Sequence, residues 1–268
     1  MSNIELFALG AVLLIGIPHG GLDGVVARRK GWPESLLAWV AFHVIYIFLS
    51  LLVILFWQLL PLVSLGLFLV ISGIHFARSD CALSGHHRWI SLSAHGGLVP
   101  IAIPYAQASE VQPIFTLLVG DTNALILLNT VQFFLIPWLG CVAIYAYHAL
   151  NNSLIRKNFM ILAGLIIATL VLPPLVTFAL YFCVFHSPRH MRITLSKLSL
   201  EERRRGLFEM LIYSAIAIMM IVIGAFYFKD DMQLAPKLIQ FSFIGMAALT
   251  VPHMLLVDYG AKTKMRFA

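Results

Sequence analysis

The sequence predicts an all-α fold, a polytopic integral membrane bundle of about nine transmembrane helices. Of the 268 residues, 60% are hydrophobic and only 11% are charged, and the mean hydropathy is +0.92, values that are not typical of a soluble domain. Hydrophobic stretches follow one another along the whole chain, separated by polar breaks of a few residues. We therefore expect one transmembrane domain over residues 1–268 and no separate soluble domain.

Nine helices are predicted when about 20 apolar residues are assigned to each crossing. The first begins with Asn3 and Glu5 rather than with basic residues, and no small-residue cleavage site follows it, so we interpret it as a retained helix and not a signal peptide. Pro173 and Pro174 fit a kink as well as a turn, which leaves eight spans as the alternative. The predicted segments are residues 4–26, 35–57, 62–78, 89–106, 124–148, 155–172, 173–188, 207–228 and 236–259.

The distribution of basic residues predicts the orientation. Under nine spans, all but two of the 18 Lys and Arg residues fall on one side, and only Lys229 and Lys237 fall on the other. The positive-inside rule then places the amino terminus outside and the carboxyl terminus in the cytoplasm, as a multi-pass protein of the inner membrane. Because the basic residues are scattered over short loops, the net charge of +6 favours contact with anionic lipid over nucleic-acid binding.

The three cysteines do not indicate a structural or metal site. Cys81, Cys141 and Cys183 are isolated, odd in number and within or beside apolar segments. This pattern predicts neither disulfides nor a zinc site.

The chain has ten histidines, and some of them carry the strongest functional signal in the sequence. Under this topology His19, His75, His186 and His190 are expected at a similar depth in the cytoplasmic half of the membrane, with His253 in the inner half of the last helix. Histidines inside a membrane are costly unless they face a partner or a cavity, and imidazole is a preferred ligand of iron, copper and zinc. We therefore predict a metal site built from these residues.

Local sequence around the histidines favours distorted helices. His186 and His190 are four residues apart, which places both on one face of a regular helix, where they could hold one ion. Pro188 is expected to distort that turn, and the segment Pro18-His19-Gly20-Gly21 is expected to break or thin the first helix at its histidine. Irregular membrane backbone is tolerated where it lines a site.

Carboxylates follow three of these histidines closely along the chain. A carboxylate that accepts a hydrogen bond from a ligand imidazole fixes the tautomer of that imidazole. This supporting role is our hypothesis for Asp23 and Asp80. Helix capping or pairing with a nearby arginine or lysine is the open alternative. The pairs are Asp23 after His19, Asp80 after His75 and Asp258 after His253.

The other five histidines are expected to have structural rather than metal-binding roles. We expect His43, His95 and His148 to form hydrogen bonds between helices or to lie at the interface. His86 and His87 adjoin Arg88 in a polar segment and are expected to be solvated.

Four separated motifs carry the histidines: Ile17-Pro18-His19-Gly20-Gly21-Leu22-Asp23, Gly73-Ile74-His75-Phe76 with Asp80, Phe185-His186-Ser187-Pro188-Arg189-His190, and Pro252-His253. In this order and spacing they resemble the Brp/Blh family of bacterial and archaeal β-carotene 15,15′-dioxygenases, from the first helix to the last. The resemblance implies an Fe(II) enzyme that uses O2 to split the central double bond of all-trans-β-carotene into two retinal molecules. It also implies that His19, His75, His186 and His190 are the iron ligands or include most of them, with His253 as a further ligand or a near neighbour.

The implied substrate and client agree with a membrane location. β-Carotene is an apolar polyene about as long as the hydrocarbon core is thick, roughly 30 Å, and therefore dissolves in the lipid bilayer. Members of the family commonly supply retinal to a microbial rhodopsin, which is the implied client. Aromatic residues near the histidines are candidates for the lining of a substrate tunnel, although ordinary helix packing is the alternative: Phe76, Trp138, Tyr145, Tyr147, Tyr181, Phe182 and Phe185.

Two other classes stay open on the residues alone. A different membrane histidine-iron enzyme, such as a lipid desaturase or hydroxylase, would be expected to carry several histidine boxes, whereas this chain has a single HxxxH. A non-enzymatic membrane protein could use its histidines to ligate haem or to relay protons during transport, and haem would give an intense visible spectrum.

Overall fold

The computed structural model describes residues 2–33, 35–80, 88–196, 198–227 and 232–259, and over these ranges the chain is helical, without a β-strand. The predicted all-α class is confirmed. The α-helices of the described ranges are α1 Asn3–Ala11, α2 Asp23–Arg29, α3 Leu36–Leu59, α4 Pro61–Asp80, α5 Arg88–Gly96, α6 Ile103–Ala106, α7 Ala108–Val119, α8 Asp121–Asn151, α9 Ser153–Val171, α10 Pro174–Ala179, α11 Ser187–Leu195, α12 Leu200–Tyr227 and α13 Leu234–Met254.

Irregular helical turns interrupt or extend several of these helices. A 3-10 segment covers Ile17–Leu22, and π-helical segments cover Val12–Gly16, Leu98–Ala102, Leu180–His186 and Leu255–Tyr259. π-Helical turns are frequently found at functional sites. Three of these four lie within a few residues of a histidine that the sequence predicts to bind metal, so the irregular backbone coincides with the predicted site.

Helices of membrane-spanning length are present, as the composition predicts. Within the described ranges, six stretches are long and apolar enough to cross a bilayer: Asn3–Arg29, Leu36–Leu59, Pro61–Ser79, Asp121–Asn151, Leu200–Tyr227 and Leu234–Asp258. All nine segments predicted from hydropathy are helical for most of their length. The count of nine crossings and the orientation of the termini stay predictions.

The structure decides the geometry of the proline pair and adds one short helix to the predicted segments. Pro173 has an extended backbone (φ −53°, ψ 151°) between α9 and α10, which favours a turn over a kink at the proline pair. Helix α7, Ala108–Val119, was not among the predicted segments, because its 12 residues are too few to cross a bilayer.

The chain packs as two compact units. Unit 1 contains Met1–Val12 and Leu60–His186, and unit 2 contains Leu13–Leu59 and Ser187–Ala268. In unit 1, α8 packs against α5, α7 and α9, and α4 packs against α5. In unit 2, α12 packs against α13 and the 3-10 segment, and α3 packs against α13.

Glycines bring α4 and α5 together in unit 1. A β-carbon on Gly73 would lie 2.5 Å from the carbonyl oxygen of Gly96, so the two backbones are in direct contact, as small residues permit in membrane helices. Next to this crossing, the indole of Trp138 fills the space beside Gly97 and donates a hydrogen bond to the carbonyl oxygen of Ala94 at 3.0 Å. These contacts fix α4 two residues before His75.

An ion-pair network joins α2 to α12 in unit 2. The carboxylate of Glu209 accepts from Arg28 at 2.5 Å and from Arg205 at 2.9 Å. The guanidinium carbon of Arg28 also lies 5.0 Å above the ring of Trp39, a cation–π distance. Arg28, the arginine that follows Asp23 most closely in the sequence, thus pairs with Glu209.

Candidate functional site

Three histidines of unit 2 lie side by side. The ring centroid of His19 is 5.5 Å from that of His190 and 5.2 Å from that of His253, and the latter two are 5.3 Å apart. The rings meet edge to face, with interplanar angles between 63° and 87°. His19 and His253 are buried. Residues separated by more than 200 positions in the chain thus form one imidazole cluster.

The irregular backbone of the first helix presents His19 to this cluster. The π-helical turn Val12–Gly16 is followed by the 3-10 segment, which has Pro18 in its first turn. A proline inside a helical run removes a backbone hydrogen bond and is a recognised cause of local distortion. The first helix is therefore irregular at its histidine, where it becomes a 3-10 helix without ending.

Nδ1 of His19 is held by two neighbours. It lies 2.5 Å from the carbonyl oxygen of Gly16 and 3.1 Å from the hydroxyl oxygen of Ser187. The Ser187 hydroxyl itself donates to the same carbonyl at 3.1 Å, and Ser187 is fully buried. Because a carbonyl oxygen can only accept, Nδ1 carries the hydrogen, and the lone pair of the neutral ring lies on Nε2. This is the nitrogen that would bind a metal.

A carboxylate fixes the second ring of the cluster. Oδ1 of Asp23 accepts a hydrogen bond from Nδ1 of His253 at 2.7 Å, and both side chains are buried. Oδ2 accepts from the hydroxyl of Tyr46 at 2.9 Å, and the same hydroxyl lies 3.2 Å from the carbonyl oxygen of Leu249. As for His19, the acceptor on Nδ1 leaves the metal-binding lone pair on Nε2. The carboxylate that follows His19 in sequence is thus bonded to His253.

Proline and a π-helical turn also flank His253. Pro252 lies inside α13, which passes into the π-helical turn Leu255–Tyr259 directly after the histidine. A proline within a helix removes a backbone hydrogen bond and is a recognised cause of local distortion. Two of the three clustered histidines therefore follow a proline immediately, and both lie at a change of helical geometry.

Unit 1 contains a histidine pair. The ring centroids of His75 and His186 are 5.3 Å apart, and these side chains are 2% and 0% exposed. His75 belongs to α4, two residues after the Gly73 crossing, and His186 is the last residue of the π-helical segment Leu180–His186. The four histidines predicted as ligands are therefore distributed as one pair in unit 1 and as His19 and His190 in unit 2.

Buried aromatic rings surround His186. Phe76 meets its ring edge to face with centroids 4.6 Å apart, and Phe182 stacks on it at 5.7 Å with an interplanar angle of 11°. Tyr181 lies 6.3 Å from His186, and Phe178 stacks on Phe182 at 5.3 Å. Three of the predicted tunnel aromatics, Phe76, Tyr181 and Phe182, therefore contact a predicted ligand.

His43 and His95 each contact a tyrosine of another helix. His43 accepts from the hydroxyl of Tyr213 at 2.9 Å, which joins α3 to α12, and His95 packs against Tyr145 of α8 with centroids 5.3 Å apart, so both interhelical interpretations are confirmed. Tyr147, a predicted tunnel residue, is 64% exposed on α8. His86, His87 and the side chain of Asp80 lie outside the described residues.

The donor set of unit 2 fits a transition metal by its chemistry. With a metal–nitrogen bond of about 2.1 Å, imidazoles that share one ion have ring centres roughly 5 Å apart, which matches the spacings in the cluster. The Nδ1 hydrogen bonds to a carbonyl and a carboxylate are the interactions that commonly orient metal-ligating histidines. Neutral imidazole suits iron, copper, zinc and nickel.

Within the described ranges, no group of three or more His, Cys, Asp and Glu side chains already has the arrangement that holds a metal ion. The fit to a metal therefore rests on the ring spacing and on the Nδ1 partners of His19 and His253.

The fold and the site together define a class, an all-helical membrane protein with buried histidine clusters beside interrupted helices. The family described as Beta-carotene 15,15'-dioxygenase matches residues 10–259. The chain belongs to this family of enzymes, so the resemblance carried by the histidine motifs is confirmed. A relative named Beta-carotene 15,15'-dioxygenase, from Uncultured marine bacterium 66A03, is 34% identical over 259 residues, covering 96% of this chain and 94% of the relative. No solved structure matches the chain.

Sequence reasoning missed Ser187 and Tyr46. Ser187 lies inside the FHSPRH motif, between two predicted ligands, but a serine there carries no signal of a contact with His19. Tyr46 lies in an apolar helix, where a tyrosine is ordinary. One signal could have pointed to a partner such as Tyr46. Asp23 lies in an apolar segment, and a buried carboxylate must be hydrogen-bonded.

Proposed function

We propose that this chain is a membrane-embedded, non-haem Fe(II) dioxygenase that uses O2 to cleave the 15,15′ double bond of all-trans-β-carotene, giving two molecules of all-trans-retinal. Membership of the β-carotene 15,15′-dioxygenase family over residues 10–259 is the observation that carries the proposal. The relative of that name, 34% identical along nearly the whole chain, supports it. The buried histidines supply donors of a kind suited to iron.

The iron ligands are drawn from His19, His75, His186 and His190, with His253 as an additional ligand. Within unit 2 the spacing of the three rings supports His253 as a partner of His19 and His190. Within unit 1 the burial of His75 and His186 supports them as metal ligands. Burying an ionisable side chain in a membrane costs free energy, and such residues are usually functional. Fe(II), when bound, would supply the coordination positions at which O2 is activated.

In each unit the protein's own residues have a proposed task. The Gly16 carbonyl, Ser187 and Asp23 hold Nδ1 of two imidazoles and thereby leave the metal-binding lone pair of each ring on Nε2. The aromatic rings about His186 exclude water and offer apolar surface to the polyene. Selecting the central double bond is then a matter of positioning, because neighbouring conjugated bonds differ little in reactivity. No acid or base among these residues is assigned a proton-transfer step.

The membrane setting follows from the substrate. A fully apolar polyene of roughly 30 Å is available in the bilayer, and six apolar helices of spanning length suit an enzyme that takes it from lipid. We propose nine crossings in the inner membrane, with the amino terminus outside and the carboxyl terminus in the cytoplasm. Alkaline phosphatase and green fluorescent protein fused at the two ends test the orientation: phosphatase activity at the amino end and fluorescence at the carboxyl end are expected.

Expression in a β-carotene-accumulating bacterium tests the activity. Chromatography should find retinal and loss of colour in cells that carry the parent chain, and neither in cells that carry His186→Ala. His43→Ala is the matched control, because the hydrogen bonds of His43 are to Trp39 and Tyr213, and it should still give retinal. Apocarotenals of unequal length would contradict central cleavage, and a haem spectrum from purified protein would contradict a non-haem site.

Retinal made by this enzyme is proposed to supply a microbial rhodopsin. The test is to co-express the chain with a retinal-free opsin in the same β-carotene-containing cells. A coloured pigment should form with the parent and not with His186→Ala, whereas added retinal should restore the pigment in both strains.

A further inference from the structure

Tyr46 begins a chain of hydrogen bonds that runs through Asp23 to the histidine cluster of unit 2. Its hydroxyl donates to Oδ2 of Asp23 at 2.9 Å, and Oδ1 of the same carboxylate accepts from Nδ1 of His253 at 2.7 Å. The ring of His253 in turn contacts those of His19 and His190. We propose that Tyr46 is a positioning residue for the metal centre, acting on His253 through Asp23.

The carboxylate needs such a partner. Asp23 is 4% exposed, and a buried carboxylate is stable only when its oxygens are hydrogen-bonded. With one oxygen given to His253 and the other to Tyr46, the plane of the carboxylate is fixed from both sides. The direction of Nε2 on His253 then follows from the direction of the Nδ1 hydrogen bond, since the two nitrogens lie across one rigid ring.

The three residues come from three helices of unit 2. Asp23 begins α2, Tyr46 is near the middle of α3, and His253 is near the end of α13. The Tyr46 hydroxyl is also 3.2 Å from the carbonyl oxygen of Leu249, one turn before His253. A single phenol proton is thus placed between the carboxylate and the helix that carries the histidine.

The proposal rests on the proposed iron site, and its test uses metal binding instead of turnover. Purified full-length protein in lipid nanodiscs is titrated with Co(II), whose visible absorption reports the ligand field of a histidine site. The Tyr46→Phe variant keeps the ring beside Phe42, at a centroid distance of 5.9 Å, and loses only the hydroxyl. We expect its apparent dissociation constant for Co(II) to rise about tenfold, the lower end of the effect of removing a residue that supports a metal ligand.

Tyr213→Phe is the matched control. It also removes a phenol hydroxyl that bonds to a histidine across two helices, at 2.9 Å from Nε2 of His43, but this histidine is outside the cluster. Co(II) affinity should equal that of the parent. A loss of affinity in Tyr213→Phe as large as in Tyr46→Phe would overturn the proposal, because both would then act through general loosening of the helices.

A double-mutant comparison separates the route through Asp23 from the contact with Leu249. If Tyr46 acts through the carboxylate, adding Tyr46→Phe to Asp23→Asn should change the Co(II) dissociation constant by less than about twofold, because interacting residues are not additive. Independent, multiplying effects would show that Tyr46 acts elsewhere and would overturn the route.

The two failures are distinguishable. Equal affinity in the parent and Tyr46→Phe overturns the role of Tyr46 and leaves the proposed function intact. A parent that binds no Co(II) and no Fe(II) removes the metal site of the proposed function, and the role of Tyr46 is lost with it.

Discussion

Gly21 lies directly against the main chain of Met210. A β-carbon on Gly21 would be 2.7 Å from the Met210 carbonyl oxygen and 3.0 Å from its α-carbon, whereas a β-carbon on the adjacent Gly20 would have nothing within 4 Å. The 3-10 segment that carries His19 therefore rests on α12 through one glycine and not the other.

Replacing these glycines by alanine should have opposite outcomes. Gly21→Ala should lower the free energy of unfolding by about 1–3 kcal/mol, the usual cost of forcing extra volume into a packed contact, because the backbone of α12 must move. Gly20→Ala should be close to neutral. The fraction of protein that stays monodisperse after heating in detergent measures the difference, and similar losses in both variants would contradict the contact.

Ser187→Ala should weaken metal binding without unfolding the chain. The substitution removes the hydroxyl beside Nδ1 of His19 and its bond to the Gly16 carbonyl, while the carbonyl still accepts from the ring. We expect Fe(II) affinity to fall by up to about tenfold, measured by retention of iron during dialysis. Ser196→Ala, which removes a serine hydroxyl bond at an exposed position, is the control and should retain iron as the parent does.

Metal should stabilise the folded protein through the histidines. A ligand present at about one hundred times its dissociation constant adds about 2.7 kcal/mol to the free energy of unfolding. Thermal unfolding of metal-stripped protein, with and without added Fe(II) under anaerobic conditions, should show this gain in the parent and in His43→Ala. In His19→Ala the gain should be absent, and a gain equal to that of the parent would argue against His19 as a ligand.

Phe76→Leu should change how the polyene is held. Leucine keeps an apolar side chain at this buried position but removes the ring that meets His186 edge to face at 4.6 Å. With the aromatic wall reduced, we expect slower cleavage and a share of apocarotenals of unequal length, detected by chromatography of cell extracts. Phe133→Leu alters a ring that is 75% exposed and should give retinal alone.

Hydropathy predicted the helices well because membrane helices are recognised by a local property, the run of apolar residues. The predicted segment 35–57 corresponds to Leu36–Leu59 and the segment 124–148 to Asp121–Asn151. Helix Ala108–Val119 was missed because it is short and contains Glu110 and Pro113, so no window long enough to span a bilayer covers it.

The composition of the site could be predicted, but most of its pairings could not. Histidine motifs identify the residues, whereas the bond between Asp23 and His253 joins positions 230 residues apart, which no local spacing reveals. The helical rule that paired His186 with His190 assumes a regular α-helix. The structure places His186 at the end of a π-helical segment and His190 in α11, so the rule does not apply across that junction.

Helix α3 is the most apolar of the spanning helices, and only 6% of its most apolar window is buried. In a membrane, acyl chains would solvate most of this surface, and the polar groups of His43 and Tyr46 would join the helix to α12, α2 and α13. Bilayer thickness and lateral pressure would then act directly on the helix that carries Tyr46. Lipid composition would in this way act on the hydrogen bonds that join Tyr46 to Asp23 and to α13.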